Sequence, residues 1–180
     1  MGHGSDVSLL ETTAIFDKKT DEFVINTPTT SAVKWWPGEM GRFANFALVF
    51  ARLQIPDENG KVNDYGIAPF IVPLRDRATH KHLPGIKTGD LGPKFGYSSK
   101  DNGWLHMDHI RIPRSYMPCK YMKVEKDGTF LMQGDPRILY SIMLKTRIMI
   151  FSGCRFALHQ AALIGIRYSI VRRQFKNISG

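Results

Sequence analysis

The chain is poor in cysteine, with two in 180 residues, Cys119 and Cys154, and they follow no metal or redox spacing. That excludes a disulfide-stapled scaffold, and each is read as a buried thiol in a reducing compartment. A basic n-region and an apolar h-region are both missing from the opening Met1-Gly2-His3-Gly4-Ser5-Asp6, so no secretory signal is read there. No peroxisomal tripeptide of the Ser-Lys-Leu kind closes the chain. The apolar run from Ile138 to Phe151 is broken by Lys145 and Arg147 and is too short to span a bilayer, so no membrane span is expected. The six histidines show no metal spacing on a common helix, and no metal site is read. His106 and His109, three apart, are placed on opposite faces of one strand.

Acidic residues are absent from the last quarter of the chain. Residues 137–180 carry eight Lys and Arg and no Asp or Glu, while residues 1–136 are close to balance, with 17 basic and 16 acidic residues. The formal net charge of +9 is therefore concentrated at one end. A nucleic-acid surface would gather such charge into an exposed stripe beside stacking aromatics. Here it is dispersed through an apolar stretch, which argues against nucleic acid. Two readings stay open: the cations meet phosphates of a ligand, or they pair with acidic groups in sequence outside this chain.

What is present is a β-rich chain followed by one helix. Glu11–Asp17 and Glu22–Asn26 alternate in polarity around the turn-like 18–21 and predict a hairpin. Ala44–Leu53 and Gly66–Leu74 are apolar runs bounded by turn formers and predict buried strands. Asp101-Asn102-Gly103 opens another strand, expected to run unbroken from Trp104 to Ile112. An antiparallel sandwich or barrel is the expected β architecture. After Gly134, Asp135 can cap a helix whose first turn suits Pro136. From Arg137 to about Arg173 there is no proline, so one long helix is predicted, with a possible break near Gly153. It is apolar over most of its circumference and needs cover that a small β domain cannot provide, so the chain is expected to be an internal piece of a larger protein.

Four motifs lie in order along the chain. They are Met1-Gly2-His3-Gly4-Ser5-Asp6-Val7 with Leu10–Ala14; Lys34-Trp35-Trp36-Pro37-Gly38 with Gly41; Gly89–Gly96 continuing through Asp101-Asn102-Gly103 to Arg114; and Ile166–Ser169 with Val171–Phe175. Together they resemble acyl-CoA oxidases, the branch of the acyl-CoA dehydrogenase superfamily that passes electrons from flavin to oxygen. The resemblance implies an acyl-CoA dehydrogenase-type middle β domain over residues 1–135 and the first long helix of the C-terminal helical domain over 136–180. It also implies FAD as cofactor, a fatty acyl-CoA substrate, a homodimeric parent and a peroxisomal location. The parent would convert fatty acyl-CoA and oxygen into trans-2-enoyl-CoA and hydrogen peroxide in fatty acid β-oxidation.

The resemblance also assigns roles. Gly2, Gly4 and Ser5 would line the flavin or its pyrophosphate; the plainer reading is a frayed terminus. Trp36 would flank the flavin ring and Gly38 would bond it through the backbone; the plainer reading is a pair of core aromatics. Arg172 would reach the pyrophosphate of the other subunit's FAD; the plainer reading is a cation at the negative end of a helix dipole. Glu39 stands where the family has a second glycine, and the resemblance stops at Phe175. Asp90, Asp101 and Asp108 are read as turn formers and a surface strand residue. No catalytic residue is assigned: the family's base is a glutamate in a later region, so the piece alone is expected to be inactive. The alternative is a non-catalytic, oxidase-like structural or binding subunit of a larger assembly.

Overall fold

A computed structural model of the chain describes residues 6–118, 120–135 and 137–175. The chain divides after Gln133 into a β unit and a helical unit. Within the β unit, alternation in the sequence becomes alternation of burial. β1 (Thr13–Asp17) and β2 (Glu22–Asn26) each bury every second residue, Ala14 and Phe16 on one and Phe23 and Ile25 on the other. They form the predicted hairpin, with Ile15 opposite Val24. β4 (Phe46–Pro56) and β5 (Val62–Pro73) form a long antiparallel pair whose inward positions include Val49, Ala51, Leu53, Phe70 and Val72. The rings of Phe16, Phe23 and Phe70 meet at centroid distances of 5.2 and 5.0 Å and anchor the core. Burying one such side chain contributes about 1.5–3 kcal/mol.

Two features depart from a simple antiparallel sandwich. β1 pairs with β4 in parallel, Thr13 opposite Arg52. The remaining strands are β3 (Lys34–Gly38), β6 (Ile86–Asp90), β7 (Asn102–Met107), β8 (Ile110–Pro113), β9 (Met122–Val124) and β10 (Phe130–Met132). The described strands form separate sheets of five, three and two strands, in the orders β5-β4-β1-β2-β8, β3-β7-β6 and β10-β9, and no closed barrel. The strand expected from Trp104 to Ile112 is two strands in different sheets. His109 takes a left-handed φ of 50° and turns the chain between them. His106 and His109 are therefore not on one strand, and Asp108 is a turn residue. The short β9–β10 pair lacked a periodic run long enough to announce it.

The two larger sheets are tied by direct bonds. Thr27 N–H donates to the Met107 carbonyl at 2.8 Å, and Met107 N–H donates to Thr27 Oγ1 at 3.1 Å. Lys34, half-buried on β3, donates from Nζ to the Phe50 carbonyl on β4 at 2.8 Å. Phe50 lies two residues before Arg52, where β1 takes up its pairing, so its carbonyl faces an edge that β1 does not reach. The ammonium supplies the donor that the ladder lacks there.

In the helical unit, α1 (Ile138–Val171) runs 34 residues without a break, Gly153 included. Asp135 acts at its start, accepting from Arg137 N–H at 2.8 Å, but the cap position falls at Arg137, whose side chain makes no capping bond. Pro136 lies outside the described residues. The side chains of α1 are exposed along nearly its whole described length. Cys154 is among them, against the expectation of a buried thiol, and Cys119 lies outside the described residues. The apolar character continues well past Phe151: Met143–Val171 is long and apolar enough to cross a membrane. A helix packed among others in a larger protein passes the same test, and Lys145, Arg147, Arg155 and Arg167 would each be costly near a bilayer centre.

Burial lowers the Lys34 pKa from 10.5 to about 8. Between those values the unfolded chain holds a proton at this site that the folded chain has lost, so stability rises with pH through the window. Urea unfolding at pH 8 and at pH 10 is expected to show that rise in the native chain and a smaller one in Lys34→Met.

Candidate functional site

Site-building begins at β3, the edge strand of its sheet. Pro37 cannot donate to a ladder and is tolerated there because the strand is at an edge. Pairing with β7 is regular at Lys34–Leu105 and Trp35–Trp104, then shifts before resuming at Gly38–Asn102. The residues between form a bulge, and Trp36 within it takes φ = 80°. A bulky residue in left-handed backbone is a steric outlier that persists only where the surroundings impose it, and such outliers gather at functional sites. Trp35 and Trp36 are 42% and 56% exposed, so the core-aromatic reading of this pair is overturned. Gly38 is also exposed, and a Cβ there would touch only the Lys100 chain at 3.5 Å. Trp36, Pro37 and Gly38 form an open platform with one indole standing beside bare backbone.

The segment following this platform is fixed from two sides. Arg75, 5% exposed, donates to the carbonyls of Ala44, Met40 (3.3 Å) and Gly41 (3.2 Å), and to Thr88 Oγ1 (2.9 Å). Desolvation lowers its pKa and the Asp101 charge opposes that shift. Thr88 Oγ1 also meets His82 Nε2 at 2.9 Å; desolvation first, then the charges of Arg75 and His80, push that imidazole below its usual pKa. From the other side, Asp101 Oδ2 accepts the N–H groups of Arg42 (2.9 Å) and Phe43 (3.3 Å), and the Asp101 carbonyl accepts Glu39 N–H (2.8 Å). Asn102 Nδ2 donates to the Trp36 carbonyl at 3.2 Å. Gly41 and Gly103 are packed backbone to backbone, since a Cβ on Gly103 would lie 2.5 Å from Gly41 N.

Glu39 takes φ = 59°, backbone suited to glycine, and its carboxylate is ion-paired with the Lys100 ammonium. Its charge is thereby matched by an ammonium that lies beside Gly38. Beside it opens a cleft of about 370 Å³ lined by Arg42, Phe43, Asp90, Ser98, Lys100 and Asp101, among others. Asp90 keeps its turn role, accepting Gly92 N–H at 2.6 Å. Asp101 is more than the turn former expected of it, and Asn102 more than the opening of a strand: each is 8% exposed and holds another segment's backbone.

Of the expected site residues, the structure places Trp36 and Gly38 together. Gly2, Gly4 and Ser5 lie outside the described residues. Arg172 stands at the C-cap of α1, its N–H donating to the Tyr168 carbonyl at 2.9 Å, in the helical unit. Sequence reasoning missed Arg75 altogether. Its only trace in the sequence is an arginine directly after the apolar run Gly66–Leu74, a position that does not announce burial. Among the described residues no cluster of three or more His, Cys, Asp or Glu could hold a metal ion.

The class of protein is given by comparison with known proteins. The profile of the family described as acyl-CoA dehydrogenase, middle domain, matches residues 1–110, and that of the acyl-CoA oxidase C-alpha1 domain matches residues 140–180. The chain belongs to the acyl-CoA oxidase family. It is 47% identical over 174 residues to peroxisomal acyl-coenzyme A oxidase 1 of Rattus norvegicus, covering 97% of this chain and 26% of that one. It is 49% identical over 179 residues to peroxisomal acyl-coenzyme A oxidase 1 of Arabidopsis thaliana, with the same coverages. The solved structure of Arabidopsis thaliana acyl-CoA oxidase 1 matches with a TM-score of 0.88 at 48% identity, over 99% of this chain and 27% of that one. Acyl-CoA oxidase-2 of Caenorhabditis elegans, solved with FAD, ascaroside-CoA and ATP bound, matches with a TM-score of 0.88 at 44% identity, over 98% and 26%. The chain thus spans about a quarter of the length of the relatives it matches.

Glu39→Gly and Glu39→Ala both lose the pair with Lys100, so the difference between them isolates the backbone. The glycine variant is expected to be more stable in urea by about 1 kcal/mol, the usual cost of a side chain in left-handed backbone. Equal stability would show that position 39 is not left-handed in solution.

Proposed function

We propose that this chain is part of an FAD-dependent acyl-CoA oxidase and supplies one wall of its flavin site. The exposed Trp36-Pro37-Gly38 platform carries the reading: the indole offers a rigid apolar face and the glycine a backbone that a flat ring can approach. Space at Gly38 and the solvent-facing Trp36 fit an isoalloxazine. Gly2, Gly4 and Ser5 would contact the flavin or its pyrophosphate, and Arg172 would serve the pyrophosphate of the other subunit in a homodimer, where a bidentate guanidinium suits the anion. Trp36 and Gly38 would hold the ring of FAD, which would supply the acceptor for a hydride from the substrate β-carbon and the route for two electrons to oxygen. The net reaction is fatty acyl-CoA plus O2 giving trans-2-enoyl-CoA plus H2O2, in peroxisomal fatty acid β-oxidation. Removing the α-proton needs a positioned base. None of the residues 1–180 is assigned that role; the base is a glutamate of a later region, and the 180-residue chain alone is inactive.

Glu39 in place of a glycine favours a second reading, a non-catalytic subunit with the oxidase fold. A negative charge beside an electron-rich flavin would weaken binding, but the pairing of Glu39 with Lys100 offsets that charge and leaves the enzyme reading ahead.

Two measurements test the proposal. The longer protein containing this chain, incubated with FAD and desalted, is expected to retain a flavin band at about 450 nm, because a site that encloses its ligand holds it through dilution. The longer protein containing this chain is expected to form one H2O2 per O2 consumed, and only when fatty acyl-CoA is added. A longer protein that holds flavin and forms no peroxide would support the non-catalytic subunit.

A further inference from the structure

Of the five polar or charged residues buried among those described, three serve one short segment. Arg75, Asp101 and Asn102 all bond the backbone between Trp36 and Ala44, and only Thr12 and Thr27 are buried elsewhere. Buried polar groups are costly unless satisfied, so such a concentration marks a place where the fold holds a particular conformation. What is held is unusual. Trp36 and Glu39, neither of them glycine, both have left-handed φ within four residues. Asn102 draws on the Trp36 carbonyl and the Asp101 carbonyl takes Glu39 N–H, so both outliers are gripped at their own peptide groups. Asp101 Oδ2 also accepts the Arg42 N–H and shares the Phe43 N–H with the Glu39 carbonyl, while Asp101 Oδ1, beside Gly41, is buried without a hydrogen-bond partner among the described residues. That arrangement keeps a carboxylate close to the buried Arg75 cation, whose charge it favours.

We propose that Asp101 and Asn102, backed by Arg75, are positioning residues that hold Trp36–Glu39 in the strained backbone conformation that receives a flat ring. The inference rests on the flavin reading given above. It adds that ring affinity is set from behind the platform, by residues that do not touch the ligand. Without the grip, Trp36 relaxes to extended backbone and its indole and carbonyl turn away from the pose that a ring requires. The strain is tolerated because the bulge, the edge proline and the close Gly41–Gly103 packing leave the segment few alternatives.

The test uses riboflavin, which carries the ring without the pyrophosphate, together with FAD, on the longer protein containing this chain and its variants. Asp101→Ala removes the acceptor for Arg42 and Phe43, Asp101→Asn restores an acceptor without the charge, and Asn102→Leu removes only the bond to the Trp36 carbonyl. Three readouts are taken: melting temperature, carbon chemical shifts of Trp36 and Glu39 that report left-handed φ, and Kd from quenching of flavin fluorescence. Asn102→Leu and Asp101→Ala are expected to weaken riboflavin at least tenfold and to move the two shifts toward extended values. Asp101→Asn is expected to return both to within threefold and close to native. A chain whose shifts and riboflavin affinity are unchanged in Asn102→Leu overturns the inference, whatever happens to its melting temperature. A longer protein with left-handed shifts that binds neither riboflavin nor FAD overturns instead the flavin reading on which the inference stands. Should Asp101→Ala not fold, Asn102→Leu decides alone.

Discussion

The bond set around the Arg75 guanidinium is the constraint on which the site depends. One cation with almost no solvent reaches three carbonyls of a single loop, and a carboxylate facing it takes the loop's N–H groups. A loop of this kind would otherwise leave its backbone polar groups to water and would sample many shapes. Held from both sides, it becomes as fixed as the strands it joins. The platform at Trp36–Gly38 inherits that rigidity because it lies directly ahead of the held segment.

This arrangement joins motifs that are separate in the sequence. Gly41 belongs to the run that begins Lys34-Trp35-Trp36, and Gly103 to the run Asp101-Asn102-Gly103, some sixty residues later. In the fold they touch: the bare Cα of Gly103 lets the Gly41 backbone approach, and that of Gly41 leaves room for the Asp101 carboxylate. The two motifs are one object seen twice along the chain. Glu39, which departs from the family pattern, is accommodated by Lys100 next to the second motif, so the departure too is answered across the same seam.

The legible parts of the fold were those with local periodicity. Phe16, Phe23, Phe70 and Leu53 fall on the alternating positions of their strands, and the long helix follows from thirty-odd residues without proline. What the residues could not announce was non-local. Nothing in Thr13–Ile15 says that their partner strand runs parallel, and nothing near Asp108-His109 marks a change of sheet except a pair of polar residues that a strand could also hold. Cys154 reads as buried by type, but on α1 it is exposed with its neighbours. At the candidate site the tryptophan and glycine were visible as a motif. The buried arginine and the structural weight of Asp101 and Asn102 were not, because the backbone groups they hold lie between 31 and 66 residues away.

The place of β8 has a bearing on how such a sheet is made. β8 completes the five-stranded sheet by pairing with β2, Glu22 opposite Pro113, across roughly ninety intervening residues. A ribosome adding about 5–20 residues per second needs on the order of 5–18 seconds to produce that partner. Throughout that interval β2 presents an open edge carrying Phe23 and Ile25, the kind of edge that pairs with whatever strand arrives first. The sheet is therefore most exposed to mispairing while it is being synthesised, and the last strand to join it closes a hazard as well as a core.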